Sequence, residues 1–276
     1  MSTQNEKAKA FRDLHRRKGA FVIPNPWDAG TARLLAHLGF EALATTSAGF
    51  AFSKGRPDGG VTREDTIEHV AAIVAATDLP VSADLEGGFG DDPQDCAETI
   101  KQGAAAGLVG GSIEDSTGRK DDPIYPHDRA VERVRAAVAA ARALHFPFTL
   151  TARSENFLWG RPDLADTIKR LQAFQEAGAD VLYAPGLKTR EEIATLIRAV
   201  DRPVNVLAGI PGALSVAELS EIGVKRISVG GALARAAFGA FMTAAKEMRT
   251  AGTFTFTDTA MPMRELNAIF AGWKTS

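Results

Sequence analysis

Cysteine is almost absent from this chain: Cys96 is the only one in 276 residues. A single cysteine excludes an intrachain disulfide and any zinc site built from several cysteines. Long hydrophobic runs are absent as well, since none approaches the roughly 20 residues needed to cross a bilayer. The first 19 residues are polar and charged, unlike a secretory signal. We therefore expect a cytoplasmic protein with no membrane partner.

Neither sign of charge is in large excess, because 32 basic and 34 acidic residues leave a formal net charge of −2. No run of lysine and arginine is long enough to indicate a nucleic-acid surface. Histidine is sparse, and four of the five histidines fall in or before predicted helices, where packing or surface roles are expected. His127 follows a polar loop and is a minor catalytic candidate. No Ser–His–Asp arrangement has a local signature here.

What the sequence does contain is a regular alternation of short β-rich runs and longer Ala-rich amphipathic segments. Eight strands are predicted, at 20–24, 42–46, 80–84, 109–114, 148–152, 180–184, 203–207 and 225–229. Eight such units in one chain favour a (β/α)8 TIM-type barrel over an open doubly wound α/β sheet. We predict one barrel domain over 1–276, with 253–276 as a C-terminal helical extension that covers the barrel or packs on another subunit.

In such barrels the chemistry lies where the strands end. Asp84 and Glu86 follow the third predicted strand at a spacing of two, and Glu114 closes the fourth. Several carboxylates that converge without histidine or cysteine are typical of a hard-cation site. The alternative is that these acids cap helices or pair with basic side chains such as Arg153.

Other polar groups follow the remaining strands. Thr46, Ser47, Ala48 and Gly49 offer hydroxyl and backbone N–H groups suited to a substrate carboxylate, unless they form a simple turn. Arg153 can clamp a carboxylate with its planar fork or pair with Glu114 or Glu155, and Asn205 is a further substrate-binding candidate on strand seven. Two polar loops are candidate lids, 53–62 with Asp58 at its centre and 116–127.

Taken together, these segments resemble one known family. The residues are Asn25-Pro26-Trp27-Asp28, Thr46-Ser47-Ala48-Gly49, Pro57-Asp58, Asp84-Leu85-Glu86-Gly87-Gly88-Phe89-Gly90, Ile113-Glu114-Asp115 and Thr151-Ala152-Arg153-Ser154-Glu155. Their order resembles the isocitrate lyase and phosphoenolpyruvate mutase superfamily. The resemblance implies a barrel that exchanges its last helix with a partner in a homodimer or homotetramer. It also implies Mg²⁺ or Mn²⁺ and substrates that are 2-oxo or 2-hydroxy carboxylates.

The resemblance also implies roles for individual residues. Ser47, Ala48 and Gly49 would hold the substrate carboxylate, and Arg153 would bind substrate. The metal and its waters would be held by three acids, Asp84, Glu86 and Glu114. Asp58 would arrive on the gating loop, so Asp58, Arg153 and Glu114 are the catalytic candidates.

The departures from the family limit which reaction to expect. Isocitrate and methylisocitrate lyases carry a catalytic cysteine in a Lys-Lys/Arg-Cys-Gly-His loop after the fourth strand, whereas this chain has Ser116-Thr117-Gly118-Arg119-Lys120. The glutamate those lyases carry after the sixth strand is replaced by Ala184-Pro185-Gly186. The asparagine of the phosphonate-processing branch is missing too. These differences indicate a branch that keeps the scaffold but has a changed substrate loop.

The sequence therefore predicts a metal-dependent carbon–carbon lyase or decarboxylase. Its expected substrates are small 2-oxo or 2-hydroxy dicarboxylates, resembling oxaloacetate or a substituted malate or citrate, and its expected intermediate is an enolpyruvate. Three alternatives stay open: phosphonopyruvate- or phosphoenolpyruvate-type C–P chemistry, a non-catalytic 2-oxoacid binder, and a sugar-phosphate enzyme. The last would bind phosphate at 209–212 and 230–232, after strands seven and eight.

Overall fold

A computed structural model describes residues 2–273 and contains one eight-stranded parallel sheet. The strands are β1 (Phe21–Ile23), β2 (Leu43–Ala44), β3 (Val81–Asp84), β4 (Gly110–Glu114), β5 (Thr149–Arg153), β6 (Val181–Tyr183), β7 (Val204–Leu207) and β8 (Arg226–Ser228). Neighbours along the sheet follow the order β1-β8-β7-β6-β5-β4-β3-β2. All eight predicted strands are present, and the predicted (β/α)8 barrel is confirmed.

Helices alternate with these strands around the outside of the sheet. They are α1 (Gln4–Leu14), α2 (Ala29–His37), α3 (Ser47–Ser53), α4 (Arg63–Ala75), α5 (Pro93–Ala105), α6 (His127–Arg142), α7 (Leu164–Glu176), α8 (Arg190–Ala199), α9 (Val216–Ile222), α10 (Ala232–Thr250) and α11 (Met263–Ala271). Many begin at side-chain caps, for example Thr62 before α4 and Asp92 before α5, which accept hydrogen bonds from backbone N–H groups of the first turn.

Closure of the barrel depends on the short second strand. β1 and β2 form no regular ladder, but the Ala44 N–H donates to the Pro24 carbonyl at 3.1 Å. Beside this bond the Asn25 Nδ2 donates to the Thr45 carbonyl at 3.0 Å. These two hydrogen bonds join the edges, so the barrel is nearly closed and the ends of all eight strands meet around one rim.

The opposite, N-terminal end of the barrel is covered by α1. Its Phe11 is fully buried and approaches the barrel at Gly110, where an added Cβ would lie 2.8 Å from the Phe11 ring. His15, just after α1, packs edge-on against both Phe11 and Phe21. An aromatic floor therefore closes the end opposite the rim.

The C-terminal part of the chain differs from the barrel in its exposure. α10 buries only Ala234 among its residues, and α11 buries none. α11 lies within the predicted extension 253–276 and packs on α2. Residues 274–276 of the predicted extension lie outside the described residues, and the single-domain assignment stays a prediction. Across residues 2–273, no helix is both long and apolar enough to span a bilayer.

Candidate active site

A cavity of about 170 Å³ opens at the carboxyl ends of the strands. Its upper wall contains Thr46, Ser47, Ala48, Asp58, Asp84 and Arg153. Its lower wall is polar, because the inward positions of several strands carry small or polar side chains, among them Ser82, Ser112, Asn205 and Ser228. A barrel interior normally fills with bulky branched residues. Here the interior is hollow at the rim, which makes room for a small polar molecule.

Arg153, the last residue of β5, joins the acids of three strand ends. Its Nη1 donates to Asp84 Oδ1 at 2.9 Å, its Nη2 lies 3.0 Å from Glu114 Oε2, and its Nε donates to Glu155 Oε1 at 2.9 Å. The guanidinium also lies 5.3 Å from the centre of the Tyr183 ring. The prediction of ion pairs with Glu114 and Glu155 is confirmed, and Asp84 is a third partner. Arg153 thus holds the acids of β3, β4 and β5 in one cluster.

Burial and mutual charge interactions shift the pKa values of the residues in this cluster. Burial raises the pKa of Glu114 well above its ordinary value, although Arg153 opposes the shift. Burial also raises the pKa of Glu155, again against the effect of Arg153. Burial acts to lower the pKa of Arg153, but Glu155, Glu114 and Asp84 outweigh it and raise that pKa. The cluster contains more acid than base, so it favours a further cation.

Glu155 is held in place by a second, deeper network that sequence reasoning did not identify. The buried Asp115 accepts the Glu155 backbone N–H at 2.8 Å and an Arg170 Nη1 at 3.2 Å. Arg170 also donates to the carbonyl of Tyr125 at 2.9 Å, where the loop after β4 returns to the barrel. Arg170 lies on α7, distant in sequence from both partners, and no local signal marks it.

The residues that follow β2, 46–49, were predicted to bind a substrate carboxylate. Ser47 Oγ donates to Asp84 Oδ2 at 3.0 Å, and Thr46 caps α3 by accepting the Gly49 N–H at 3.3 Å. Ser47 and Ala48 line the cavity. Gly49 does not: a Cβ there would lie 2.6 Å from Thr46 Cγ2 and 3.2 Å from Ala234 Cβ. The structure therefore places Gly49 in the packing between α3 and α10.

Asp58 reaches the site from the predicted lid. It lines this cavity and also a neighbouring, more open groove bounded by Glu86, Glu114 and Tyr125. Partial desolvation and nearby Asp84 raise the pKa of Asp58, although the residue as a whole is exposed. The loop is anchored at its base, where Asp65 pairs with Lys54 at 2.5 Å and with Arg56 at 2.8 Å. Asp58 thus lies at the mouth of the cavity on an anchored loop.

The environment of Glu86 bears on whether Asp84, Glu86 and Glu114 are suited to bind a metal ion. Its backbone is in the left-handed region at φ 48°, its Oε1 is buried without a hydrogen-bond partner, and burial raises its pKa to about 8. Within residues 2–273 no three histidine, cysteine or acidic side chains already form a metal-binding group. Mg²⁺, however, keeps several waters and needs only one or two carboxylates. The oxygen donors of Asp84, Glu86 and Glu114 and the unpartnered Glu86 oxygen fit such a cation.

The second predicted lid, 116–127, forms a hairpin whose ends are packed and whose tip, 118–122, is exposed. An antiparallel bridge joins Ser116 to Ile124, and Trp159 Nε1 donates to Ser116 Oγ at 3.0 Å. The Tyr125 hydroxyl donates to Asp91, and burial followed by this bond raises its pKa to about 12. His127 begins α6 with Nδ1 2.9 Å from Asp128 and lines neither the cavity nor the groove. This hairpin therefore brings four polar residues to the groove, Ser116, Thr117, Arg119 and Tyr125.

Two further polar residues lie deeper in the cavity. Asn205, predicted as substrate-binding, is almost fully buried, and its Nδ2 donates to Ser228 Oγ at 2.9 Å. Its Oδ1 accepts the Nε of Arg226 at 2.9 Å. Sequence reasoning missed Arg226, which lies near the start of β8, away from the strand ends. The sequence signal was weak, because Arg226 follows Lys225 at the start of the predicted strand 225–229 and reads as part of an exposed charged pair.

Part of the backbone around the glycine-rich segments after β7 and β8 is already used by other contacts. Asn25 Oδ1 accepts the N–H groups of both Val229 and Gly230 at 2.9 Å. Gly209 is required by packing, because a Cβ there would lie 2.0 Å from the Val229 carbonyl oxygen. These two backbone donors are already used, which disfavours the sugar-phosphate alternative.

The fold and the site together define a (β/α)8-barrel protein with an acid-rich pocket at the carboxyl ends of β2 to β5. The phosphoenolpyruvate phosphomutase family matches this chain over residues 11–249. The chain therefore belongs to the phosphoenolpyruvate mutase/isocitrate lyase superfamily, as the sequence motifs predicted.

Three similar proteins illustrate this membership. A putative lyase/mutase from Burkholderia cenocepacia J2315 is 64% identical, with a TM-score of 0.96 over 99% of this chain and 98% of that one. Oxaloacetate acetylhydrolase, solved with its product oxalate, is 27% identical, with a TM-score of 0.87 over 98% and 95% of the two chains. The 2-methylisocitrate lyase of Escherichia coli is 30% identical over 71% of this chain and 68% of its own length.

Proposed function

We propose that this protein is a metal-dependent carbon–carbon lyase or decarboxylase acting on small 2-oxo or 2-hydroxy dicarboxylates through an enolpyruvate intermediate. The observation that carries the proposal is the cluster in which Arg153 joins Asp84, Glu114 and Glu155 beside Ser47, in a cavity sized for a small polar molecule. Oxaloacetate acetylhydrolase and 2-methylisocitrate lyase, both named for small carboxylate substrates, support the same chemistry.

Binding of the substrate carboxylate is assigned to the first turn of α3. Ser47 and Ala48 line the cavity at the start of this helix, where the Ser47 N–H lies 3.5 Å from Asp84 Oδ2 and the Gly49 N–H donates to Thr46 Oγ1, so the Ala48 N–H is the first-turn donor offered to a substrate. Such N–H groups suit an anion. The Arg153 guanidinium is buried against three acids, so it contributes to substrate binding by holding these acids in position and is not a mobile clamp.

The cation is assigned to Asp84, Glu86 and Glu114, with Mg²⁺ or Mn²⁺ as the candidates. When bound, it would supply Lewis-acid stabilisation of the negative charge that develops on a 2-oxo group. Asp84 is held by both Ser47 and Arg153, so its orientation is set before any ligand arrives. Preorganised charge of this kind contributes to catalysis because it needs no rearrangement during the reaction.

Proton transfer is assigned to Asp58 at the cavity mouth. Its raised pKa favours a carboxyl group that can both take up and return a proton. The one thiol of the chain does not substitute for the missing lyase cysteine: Cys96 is buried on α5, its Sγ lies 3.6 Å from the Gly87 carbonyl oxygen, and burial raises its pKa to about 11. Loss of CO₂ needs no acid at that position, which makes decarboxylation the least demanding version of the reaction.

C–P chemistry on a phosphonate or phosphoenolpyruvate substrate is the second candidate, and the description of the matching family supports it. Release of inorganic phosphate from phosphonopyruvate, with no cleavage of any dicarboxylate, would replace the first candidate by this one. Binding of 2-oxoacids without turnover of either class would leave a binding protein.

Assembly into a homodimer or homotetramer is part of the proposal. α10 and the segment after it expose large apolar side chains, including Phe238, Phe241, Met242, Met248 and Phe254. Monomeric proteins rarely expose extended apolar patches. A second copy of the chain that exchanges or packs α10 and α11 would cover this face.

The first test is proton NMR of the pyruvate methyl group in D₂O, with and without Mg²⁺. Exchange with solvent reports enolate formation, the step shared by the lyase and decarboxylase reactions. We expect Mg²⁺-dependent exchange that is lost in Asp84→Ala and kept in Asp128→Ala, whose side chain is 99% exposed. Exchange that persists in Asp84→Ala would remove the metal from the proposal, and a complete lack of exchange would contradict enolpyruvate chemistry.

A further inference from the structure

Arg226 is a buried cation at the bottom of the cavity. It is 6% exposed, and it lines the same cavity as Ser47, Asp84 and Arg153. Its Nε donates to Asn205, while its Nη1 is buried without a hydrogen-bond partner. Of the groups that act on its charge, Tyr183 favours the cation and Arg153 opposes it, and no carboxylate is among them. Within residues 2–273, Arg226 forms no ion pair.

The other buried arginines of the barrel are compensated. Arg153 pairs with three acids and Arg170 with two, Asp115 and Asp166. Arg133 pairs with no acid but donates to the Gly87 carbonyl and lies 4.3 Å from the centre of the Tyr125 ring. A buried ion without a partner is costly, so an anion that reaches the free Nη1 of Arg226 is strongly favoured.

The side of Arg226 that faces the cavity is where such an anion could bind. The charge of Arg226 acts on His15, which packs against Phe11 and Phe21 and whose Nε2 is also buried without a partner. Beside Arg226 stand Asn205 and, further up the wall, Ser228 and Tyr183. Above it is the cavity, which continues to the rim. An anion entering from the rim can therefore reach Arg226.

We propose that Arg226 is the floor of a second anion subsite, which takes a carboxylate-sized anion below the acid cluster of the rim. The anion is either the far carboxylate of a dicarboxylate substrate or a small free ion. Assigning it to substrate rests on the proposed function; the subsite itself does not. A substrate bound in this way spans the cavity, with one end near Ser47 and its second carboxylate on Arg226, so monocarboxylates bind more weakly than dicarboxylates.

Thermal unfolding of the full-length protein in EDTA tests the subsite without any metal. Sodium bromide or formate is titrated at constant ionic strength against the sodium salt of HEPES, a ring-containing sulfonate that is bulkier than the proposed substrates and carries no carboxylate. We expect the Tm of the wild type to rise by about 3 °C for each tenfold increase in bromide above its Kd. Arg198→Gln, which alters an exposed arginine on α8, should show the same rise, and Arg226→Gln should show none.

A crystal structure of the wild-type protein with bromide decides the question even if Arg226→Gln fails to fold. We expect an anomalous peak within hydrogen-bonding distance of Arg226 Nη1. Displacement of this bromide by malate would identify the anion as a substrate carboxylate, and its retention beside bound malate would identify a separate free ion. No peak at Arg226 would overturn the proposal even if the protein is an active lyase. A peak at Arg226 in a protein with no lyase activity would uphold the subsite and contradict the proposed function.

Discussion

The hydroxyl of Ser47 lies 3.0 Å from the carboxylate of Asp84, on the oxygen that Arg153 does not use. One serine and one arginine therefore fix the two oxygens of this carboxylate separately. Groups that orient a metal ligand in this way typically contribute a factor of 10 to 100 in metal affinity. The position of Asp84 thus depends on a hydroxyl that follows β2, although Asp84 itself ends β3.

Ser47→Ala is predicted to weaken Mg²⁺ affinity by about 10- to 100-fold, because Asp84 Oδ2 loses its side-chain hydrogen bond and keeps only the longer contact with the Ser47 N–H at 3.5 Å. The measurement is the Mg²⁺ concentration that gives half-maximal pyruvate exchange. Ser53→Ala is the matched control, since this serine ends the same helix and its hydroxyl donates only to the Phe50 carbonyl. Equal Mg²⁺ dependence in Ser47→Ala and the wild type would show that Ser47 does not position Asp84.

Asp58→Asn is predicted to reduce kcat by about 10²- to 10⁴-fold, the usual contribution of a positioned proton-transfer group. KM and Tm should change little, because Asp58 is exposed and lies on a loop anchored elsewhere through Asp65. Steady-state kinetics and a thermal melt check both expectations. Asp121→Asn, an exposed acid of the other loop, serves as the control. A kcat within twofold of the wild type would exclude Asp58 from proton transfer.

His15→Gln is predicted to flatten the loss of stability in acid. Burial, followed by the charge of Arg226, lowers the folded-state pKa of His15 from 6.5 to about 3. As the pH falls below 6.5, the unfolded chain binds a proton that the folded protein excludes, so stability is lost progressively down to about pH 3. At pH 4.5 this histidine alone should cost about 2–3 kcal/mol relative to neutral pH.

Urea unfolding at pH 7.5 and pH 4.5 measures this loss. The difference in unfolding free energy between the two pH values should be smaller in His15→Gln than in the wild type. His37→Gln, which changes an exposed histidine, should behave like the wild type. An unchanged acid loss in His15→Gln would mean that other groups cause it.

Phe241→Ser is predicted to convert the proposed oligomer into smaller species. Phe241 is 67% exposed on α10, so its replacement removes apolar surface from the predicted contact without opening the barrel core. Sedimentation velocity compares the variant with the wild type and with Leu38→Ser, which changes a side chain that is 71% exposed on another face. A wild-type protein that sediments as a monomer at micromolar concentration would contradict the assembly.

The sequence was informative about the barrel because each strand carries its own local signal. Eight apolar runs, each followed by an amphipathic segment, give the strand positions without any knowledge of distant contacts. The rim residues followed from the rule that chemistry gathers at the strand ends. This rule brought Asp84, Glu114 and Arg153 together, although they come from three strands, and the structure confirms that they are in contact.

The contacts missed by sequence reasoning depend on where long side chains end. Arg170 reaches from α7 to Asp115, and Arg226 lies below the rim, so neither is marked by its position in a motif. Gly49 is the opposite case: its motif position predicted substrate binding, but it packs against α10 and does not line the cavity. Motif spacing reports which residues share a strand end, but the direction of each side chain depends on the closed barrel.

The aromatic floor formed by α1 has a consequence for the order of events during turnover. With Phe11 and His15 closing the end opposite the rim, ligands enter and leave the cavity through the mouth beside Asp58. When a substrate is split into two fragments, the piece nearer the mouth must depart before the deeper piece can pass. In the proposed lyase reaction, product release would therefore be sequential: the deeper fragment would compete directly with substrate for the empty enzyme, while the outer fragment would inhibit only by rebinding to the half-emptied cavity.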